Sequence, residues 1–141
     1  MRYLQSRPYQ FVIHRDAKKD LDDLFEKHKA LAAEILVFFE GLQNEQRSLD
    51  RLTSRGYCQY EPLAFDVDEW QETRRKKYNL WRIKPHWSAS ASSYRIIYAF
   101  DPKQYHYYVL AIVHRDFNYE TKNPRVEQIL RIYDALDIPR V

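Results

Sequence analysis

Basic side chains recur in three consecutive segments of the chain whose sequences alternate as strands do. They are Arg82 and Lys84 in the first segment, Arg95 in the second and Arg115 directly after the third. Because strands that follow one another in sequence usually pair, these side chains can meet at one place and hold several cations around one phosphate. The pattern predicts a compact sheet that handles a nucleic-acid backbone and carries groups with which such a backbone can be cut.

RNA can be cleaved without a metal when its own 2′-hydroxyl attacks the adjacent phosphorus. The reaction needs a base at the hydroxyl, an acid at the leaving 5′-oxygen and cations for the developing charge. Arginine suits the phosphate because its planar fork donates two parallel hydrogen bonds. A lysine serves as base only when its pKa falls, and clustered cations act in that direction. An exposed aromatic ring holds a splayed base by stacking, and Tyr119 follows Arg115 by four residues.

Each of these residues also has an ordinary structural interpretation. Arg95 can lay its aliphatic stem beside the tyrosines of its own strand. Arg115 can form an ion pair with Asp116 or Glu120. The convergence of the basic residues on neighbouring strand ends favours a shared functional site over separate structural roles.

Two histidines near these segments titrate close to neutral pH and are candidate acids or bases. His86 lies in a loop beside Trp87, whereas His114 directly precedes Arg115. Strand alternation would aim His114 and Arg115 at opposite faces, which favours a structural role for His114. The histidines and acids show no metal-ligand spacing, so neither a metal nor another cofactor is predicted.

A second basic feature is a run of four residues within a locally basic region. Residues 71–95 contain seven basic side chains against a single acid, although the net charge of the whole chain is only +3. A local basic field indicates an anionic partner better than the overall charge does. The run is therefore a candidate RNA-binding element, with a solvated surface run as the alternative. It comprises Arg74, Arg75, Lys76 and Lys77.

Length and composition set the class of protein. A chain of 141 residues that is 45% hydrophobic and 16% aromatic can form one domain with a core, and residues 1–141 are predicted to do so. Two glycines are too few for a phosphate-binding loop, and the single Cys58 excludes an internal disulfide and is predicted to be a packed thiol. No signal-like or membrane-spanning apolar run occurs, so we expect a cytoplasmic protein with no membrane partner.

Hydrophobic periodicity predicts the elements that must position the candidate residues. A strand at 9–13 is followed by Asp16, a candidate helix cap, and by two helices joined near His28, or one long helix. His14 and His28 are predicted to be structural. Residues 57–79 have no clean period. The remaining predictions are a short helix at 48–55, a strand or extended connector at 63–67, strands at 80–84, 94–100 and 105–114, and a helix from Pro124. The order indicates an α+β fold, a meander of antiparallel strands with helices packed on the sheet.

The chain resembles the RelE/ParE superfamily of toxins from bacterial type II toxin–antitoxin systems. The resemblance rests on the residues at 81–84, 94–98, 109–113 and 114–119. It implies a small twisted antiparallel sheet with an N-terminal helical hairpin and a C-terminal helix. It also implies a metal-independent endoribonuclease that cuts mRNA on the ribosome and is neutralised by a cognate antitoxin. ParE-like members act on DNA gyrase and do not cut RNA, and an inactive RNA-binding domain is a further alternative.

The resemblance also implies roles for individual residues. Lys84 matches the base and Arg82 its basic neighbour, whereas Arg95 matches the arginine that binds phosphate. Arg115 and Tyr119 match the arginine and tyrosine at the end of the sheet. Two segments depart from the family pattern, namely residues 44–79, an atypical insertion, and the long loop 86–93. Because family members differ in their catalytic sets, His114 and Arg115 remain an alternative functional pair.

Overall fold

The computed structural model describes residues 8–60 and 63–141, which form six strands and six helices around one sheet. In chain order these are β1 (Gln10–Ile13), α1 (Arg15–Lys27), α2 (Lys29–Gln43), α3 (Gln46–Leu49), β2 (Gly56–Tyr60), β3 (Leu63–Glu69), α4 (Gln71–Arg74), β4 (Leu80–Pro85), α5 (Ala89–Ser92), β5 (Tyr94–Asp101), β6 (His106–His114) and α6 (Pro124–Ala135). The predicted α+β fold, with its N-terminal helical hairpin and C-terminal helix, is confirmed.

The sheet has the order β1-β6-β5-β4-β3-β2. Four of its described pairs are antiparallel, as predicted, and β1 lies parallel to β6. A parallel neighbour needs a long crossover, and α1 to β5 supply it. Within the segment 57–79, which has no clean sequence period, β2 and β3 pair as an antiparallel hairpin at the far edge of the sheet, and α4 follows them.

Histidine side chains cap both helices of the hairpin. His14 Nδ1 accepts a hydrogen bond from the Asp16 amide at 3.1 Å, and His28 Nδ1 accepts one from the Leu31 amide at 3.4 Å. These contacts satisfy amides that the first helical turn leaves unpaired. The predicted cap at Asp16 is wrong by two residues, because the helix begins earlier. The predicted helix at 48–55 is also wrong, since α3 ends at Leu49.

The sheet is covered on both faces, but unequally. The helical hairpin of α1 and α2 packs on one face, where Phe38 of α2 contacts Phe65 of β3 edge to face at 5.1 Å. On the other face Ile97 and Ala111 lie in a cluster with Ile129 of α6. That second cluster ends before the last residues of β4, so the sheet surface there is left to polar side chains.

An ion pair ties α1, β6 and α6 together at the edge of β6 beyond the end of β1. Asp20 Oδ2 accepts the Ile112 amide at 2.9 Å, and its two oxygens bind the Arg125 guanidinium at 3.1 and 2.7 Å. The carboxylate thus satisfies a strand amide that has no partner strand. Within residues 8–60 and 63–141, no helix has the length and apolar character that a bilayer crossing requires.

Candidate nucleic-acid interface

A groove of about 480 Å³ lies on the sheet face that carries α6, beyond the part that α6 covers. Its described lining has four cationic side chains and two acidic ones, an excess of two positive charges. A concave surface with a net positive charge attracts anionic ligands. The charged lining residues are Arg55, Asp66, Asp68, Arg82, Lys84 and Arg95.

Strand register explains why these side chains share one face. Lys84 pairs with Asp66 of β3, and Arg82 pairs with Asp68 on one side and Ile97 on the other. Residues that are directly opposite in neighbouring strands point to the same side of a sheet. Arg95 precedes Ile97 by two positions and therefore joins them. The structure brings together three of the predicted cations from two adjacent strands.

Arg82 is held by an acid and by an aromatic ring. Its Nη2 lies 3.4 Å from Asp68 Oδ2, and its guanidinium lies 4.9 Å from the centre of the Tyr119 ring. Asp68 is shared, because its Oδ1 accepts a 3.0 Å hydrogen bond from Arg55 Nε. Among the described residues this long bond to a shared carboxylate is the single hydrogen bond of the Arg82 guanidinium, which leaves most of its donors for an anionic ligand.

Arg95 is anchored by backbone oxygens rather than by an acid. Its Nη1 donates to the carbonyls of Ser92 and Tyr94, both at 2.8 Å. Within the described part of the chain Nε and Nη2 have no bonding partner, so this edge of the fork is available to a phosphate.

Neighbouring charges act on the same guanidinium. Burial lowers the pKa of Arg95, Tyr119 acts in the opposite direction, and Arg82 and Arg115 lower it further. These influences indicate that all three side chains lie near Arg95. An arginine keeps its charge at neutral pH even so.

Arg115 lies next to this cluster without lining the groove itself. Its amide donates to the Ser93 carbonyl at 2.8 Å, and its side chain is exposed. Neither of the two predicted ion-pair partners engages it in the described residues. Asp116 lies 3.3 Å from His114 Nδ1, and Glu120 lies 3.9 Å from the Lys122 ammonium. Arg115 is thus placed to add positive charge close to Arg95.

Tyr119 packs against the Arg82 guanidinium and does not form an open stacking platform. Its ring packs edge-on against Trp70 at 5.2 Å and against Phe117 at 5.0 Å. The hydroxyl is buried and has no hydrogen-bond partner among the described residues. In this conformation the face of the Tyr119 ring packs against the Arg82 guanidinium and holds it in position.

The two candidate histidines lie on opposite faces of the sheet. His86 Nε2 is 2.7 Å from Asp66 Oδ2, and its ring stacks on Tyr57 with centres 6.4 Å apart. His114 of β6 pairs with Tyr94 of β5 and contacts that ring edge-on at 5.5 Å, on the sheet face that the helices α1 and α2 cover. The structure therefore places His86 beside the groove and His114 away from it.

The basic run lies near the opposite end of β4 from Lys84. The run precedes Leu80, and Lys84 lies four residue steps further along the strand, about 13 Å at 3.3 Å per step. Arg74 pairs with Glu69 at 3.4 Å, whereas the following three basic residues are exposed. The structure does not bring this run into the groove. Its members are Arg74, Arg75, Lys76 and Lys77.

The sequence-based prediction missed the contribution of the β2–β3 hairpin. Arg55, Asp66 and Asp68 line the groove, and Tyr57 stacks on His86. One sequence signal was available, since two acids spaced by two residues match the spacing of the two cations in β4. The described residues contain no group of three or more His, Cys, Asp or Glu side chains arranged to hold a metal ion.

Comparisons with known proteins give one distant structural similarity. No protein-family model matches the chain, and no curated protein matches it. The fold is similar to a chain in the crystal structure of the toxin–antitoxin complex RelBE2 from Mycobacterium tuberculosis, at 18% identity and a TM-score of 0.48. The match covers 77% of this chain and 99% of that one. A similarity of this size does not assign the chain to a family.

Proposed function

We propose that the protein is the toxin of a type II toxin–antitoxin system and cuts mRNA as a metal-independent endoribonuclease on the ribosome, in the cytoplasm. The observation that carries the proposal is the groove in which Arg82, Lys84 and Arg95 meet, with Arg115 close by. The resemblance of these strands to RelE-like toxins supports the toxin class. A cognate antitoxin would then bind and neutralise the protein.

Each cation has a distinct part in the proposed reaction. Arg95 offers Nε and Nη2 to the non-bridging oxygens of the scissile phosphate, and Arg82 approaches the same group from the neighbouring strand. Arg115 adds charge stabilisation as the phosphorus gains a fifth oxygen. Lys84 is exposed and lines the same groove as Arg82 and Arg95, so its amine is assigned the role of receiving the 2′-hydroxyl proton. Tyr119 keeps Arg82 in place.

One observation favours a second candidate, an RNA-binding domain that does not cut. Asp68 lies between Arg55 and Arg82 and neutralises part of the groove. Such a protein would bind RNA with an affinity that falls steeply with salt and would release no product.

Cleavage of mRNA by the purified protein tests the proposal directly. Incubation with mRNA, with and without ribosomes, should give fragments that end in a 2′,3′-cyclic or 3′-phosphate. Lys84→Ala and Arg95→Ala should abolish these fragments while the far-UV circular dichroism is kept. Lys19→Ala is the matched control, because that exposed cation of α1 lies on the other face of the sheet, and it should cut normally. Normal cutting by both groove variants would show that the site is wrongly assigned.

Expression in cells tests the toxin class separately. Growth arrest that a neighbouring open reading frame relieves would support a toxin with its antitoxin. Arrest with intact mRNA and DNA-damage signalling would instead select a gyrase inhibitor, the ParE-like alternative.

A further inference from the structure

A histidine–aspartate pair stands at the rim of the groove, next to the residues of the proposed reaction. His86 Nε2 lies 2.7 Å from Asp66 Oδ2, and the His86 amide donates to the Ala64 carbonyl at 2.8 Å. Asp66 is also the residue directly opposite Lys84 in the neighbouring strand and lines the groove. The pair thus belongs to the same sheet surface as the candidate base.

We propose that His86 is the general acid that protonates the leaving 5′-oxygen, and that Asp66 is its positioning residue. This inference rests on the proposed ribonuclease function and deepens it. Metal-free cleavage needs a second proton-transfer group besides the base, and such a group contributes about 10²–10⁴ in rate. Among the predicted acids and bases, His86 is the one that the structure places on the groove side.

The hydrogen bond to Asp66 decides which ring nitrogen of His86 can transfer a proton to the substrate. Asp66 accepts from Nε2–H, so the proton that the imidazolium can transfer is the one on Nδ1. Three titratable or charged groups stand around the ring in the described residues, one from each of three strands. Asp66 of β3 is bonded to the ring, the Tyr57 phenol of β2 stacks on it, and Lys84 of β4 stands directly opposite Asp66.

The proposed cleavage moves one proton at the attacking oxygen and one at the leaving oxygen. The 2′-oxygen forms a bond to phosphorus and its proton passes to the base, for which Lys84 is placed. The bond between phosphorus and the 5′-oxygen breaks, its electron pair goes to that oxygen, and the Nδ1 proton joins it. The products are a 2′,3′-cyclic phosphate, a 5′-hydroxyl, a neutral His86 and a protonated base, and exchange with water restores both groups.

A structural role is the alternative, because the same pair also ties the end of β4 to β3. The two roles differ in their dependence on the leaving group. A thiol is far more acidic than an alcohol, with a pKa of about 8.5 in cysteine, so a sulfur leaving group departs without an acid. Loss of a catalytic acid is therefore repaired by sulfur in the 5′ position, whereas loss of structure is not.

The test uses the full-length protein and an mRNA in which the linkage cut by the wild type carries either 5′-oxygen or 5′-sulfur. His86→Ala should slow cutting of the oxygen linkage by about 10²–10⁴ and cut the sulfur linkage at nearly the wild-type rate. Lys84→Ala should be slow on both linkages. Asp66→Asn should lose part of the rate on oxygen and should recover on sulfur, because the variant misplaces the acid that only the oxygen leaving group needs. His106→Asn, at the opposite end of β6 from Arg115, is the control and should match the wild type on both.

The outcomes separate the two hypotheses. Equal defects of His86→Ala on oxygen and sulfur, or a normal rate on oxygen, would overturn the acid role while leaving the ribonuclease intact. A wild-type protein that cuts neither linkage would overturn the ribonuclease itself, and with it the role of His86.

Discussion

Replacement of Tyr119 by phenylalanine should leave both the stability and the activity of the protein nearly unchanged. The hydroxyl is buried without a bonding partner in the described residues, while the ring supports the Arg82 guanidinium at 4.9 Å. If the ring is what the site uses, Tyr119→Phe should cut RNA within about threefold of the wild-type rate, less than 1 kcal/mol in the barrier. Tyr119→Ala should be slower by tenfold or more, because Arg82 loses its support.

The expected stabilities follow from the hydrogen bonds of each hydroxyl. A buried hydroxyl without a partner costs about 1–3 kcal/mol, so its removal at Tyr119 should leave the free energy of unfolding equal or slightly higher. Tyr133 is the matched control, because its hydroxyl accepts from the Asn79 amide at 3.0 Å and donates to the Pro139 carbonyl at 2.7 Å. Tyr133→Phe leaves a buried amide unpaired and should cost about 2–4 kcal/mol.

Two measurements on the same preparations check this reasoning. Urea denaturation followed by tryptophan fluorescence gives the free energy of unfolding, and single-turnover cleavage gives the rate. A tenfold slower but equally stable Tyr119→Phe would show that the hydroxyl reaches the substrate. A loss of more than about 1 kcal/mol in that variant would show that the hydroxyl is bonded in the folded protein.

Three further outcomes follow from other contacts. Asp20→Ala should lower the free energy of unfolding by about 3–5 kcal/mol in urea titration, because it leaves the Arg125 guanidinium without its carboxylate partner. Replacement of the exposed Asp23 by alanine is the control and should change that free energy by less than about 0.5 kcal/mol. Burial raises the pKa of the Cys58 thiol, so iodoacetamide at pH 8 should alkylate the folded protein far more slowly than the unfolded one. Asp68→Asn should tighten binding of single-stranded RNA and steepen its salt dependence, measured by fluorescence anisotropy, and unchanged affinity would contradict the electrostatic account of the groove.

The elements with strong periodicity were predictable from the sequence. The apolar stripe from Leu21 to Leu42 indicated the hairpin, and the alternation of Arg82 and Lys84 with Trp81 placed the two cations on one face. Both signals are local, because a helix or strand with one buried face imposes its own period on the chain. The opposite faces of His114 and Arg115 followed from the same alternation.

The parts that the sequence did not predict depend on contacts between distant residues. The parallel pairing of β1 with β6 joins residues almost a hundred positions apart and leaves no local pattern. The β2–β3 hairpin is an edge element with weak alternation. The register of β3 against β4 is what places its two acids beside the cations of β4. The packing of the Tyr119 ring against Trp70 is likewise long-range. Packing and register, rather than propensity, decide such features.

The β2–β3 hairpin places acidic side chains beside the cations of the strands that resemble RelE-like toxins. Asp66 and Asp68 stand directly opposite Lys84 and Arg82, so every cation of β4 has an acid as its neighbour. The ion pair between Arg82 and Asp68 is partly exposed and contributes about 0–1 kcal/mol, so a phosphate that brings two charge-assisted hydrogen bonds can displace it. The acids therefore relieve repulsion among the cations in the unbound protein without closing the groove to RNA. Asp66 gains a second role from the same position, because the carboxylate that faces Lys84 also reaches His86. A segment that lies outside the family resemblance thus supplies both the charge balance of the proposed site and the partner of its proposed acid.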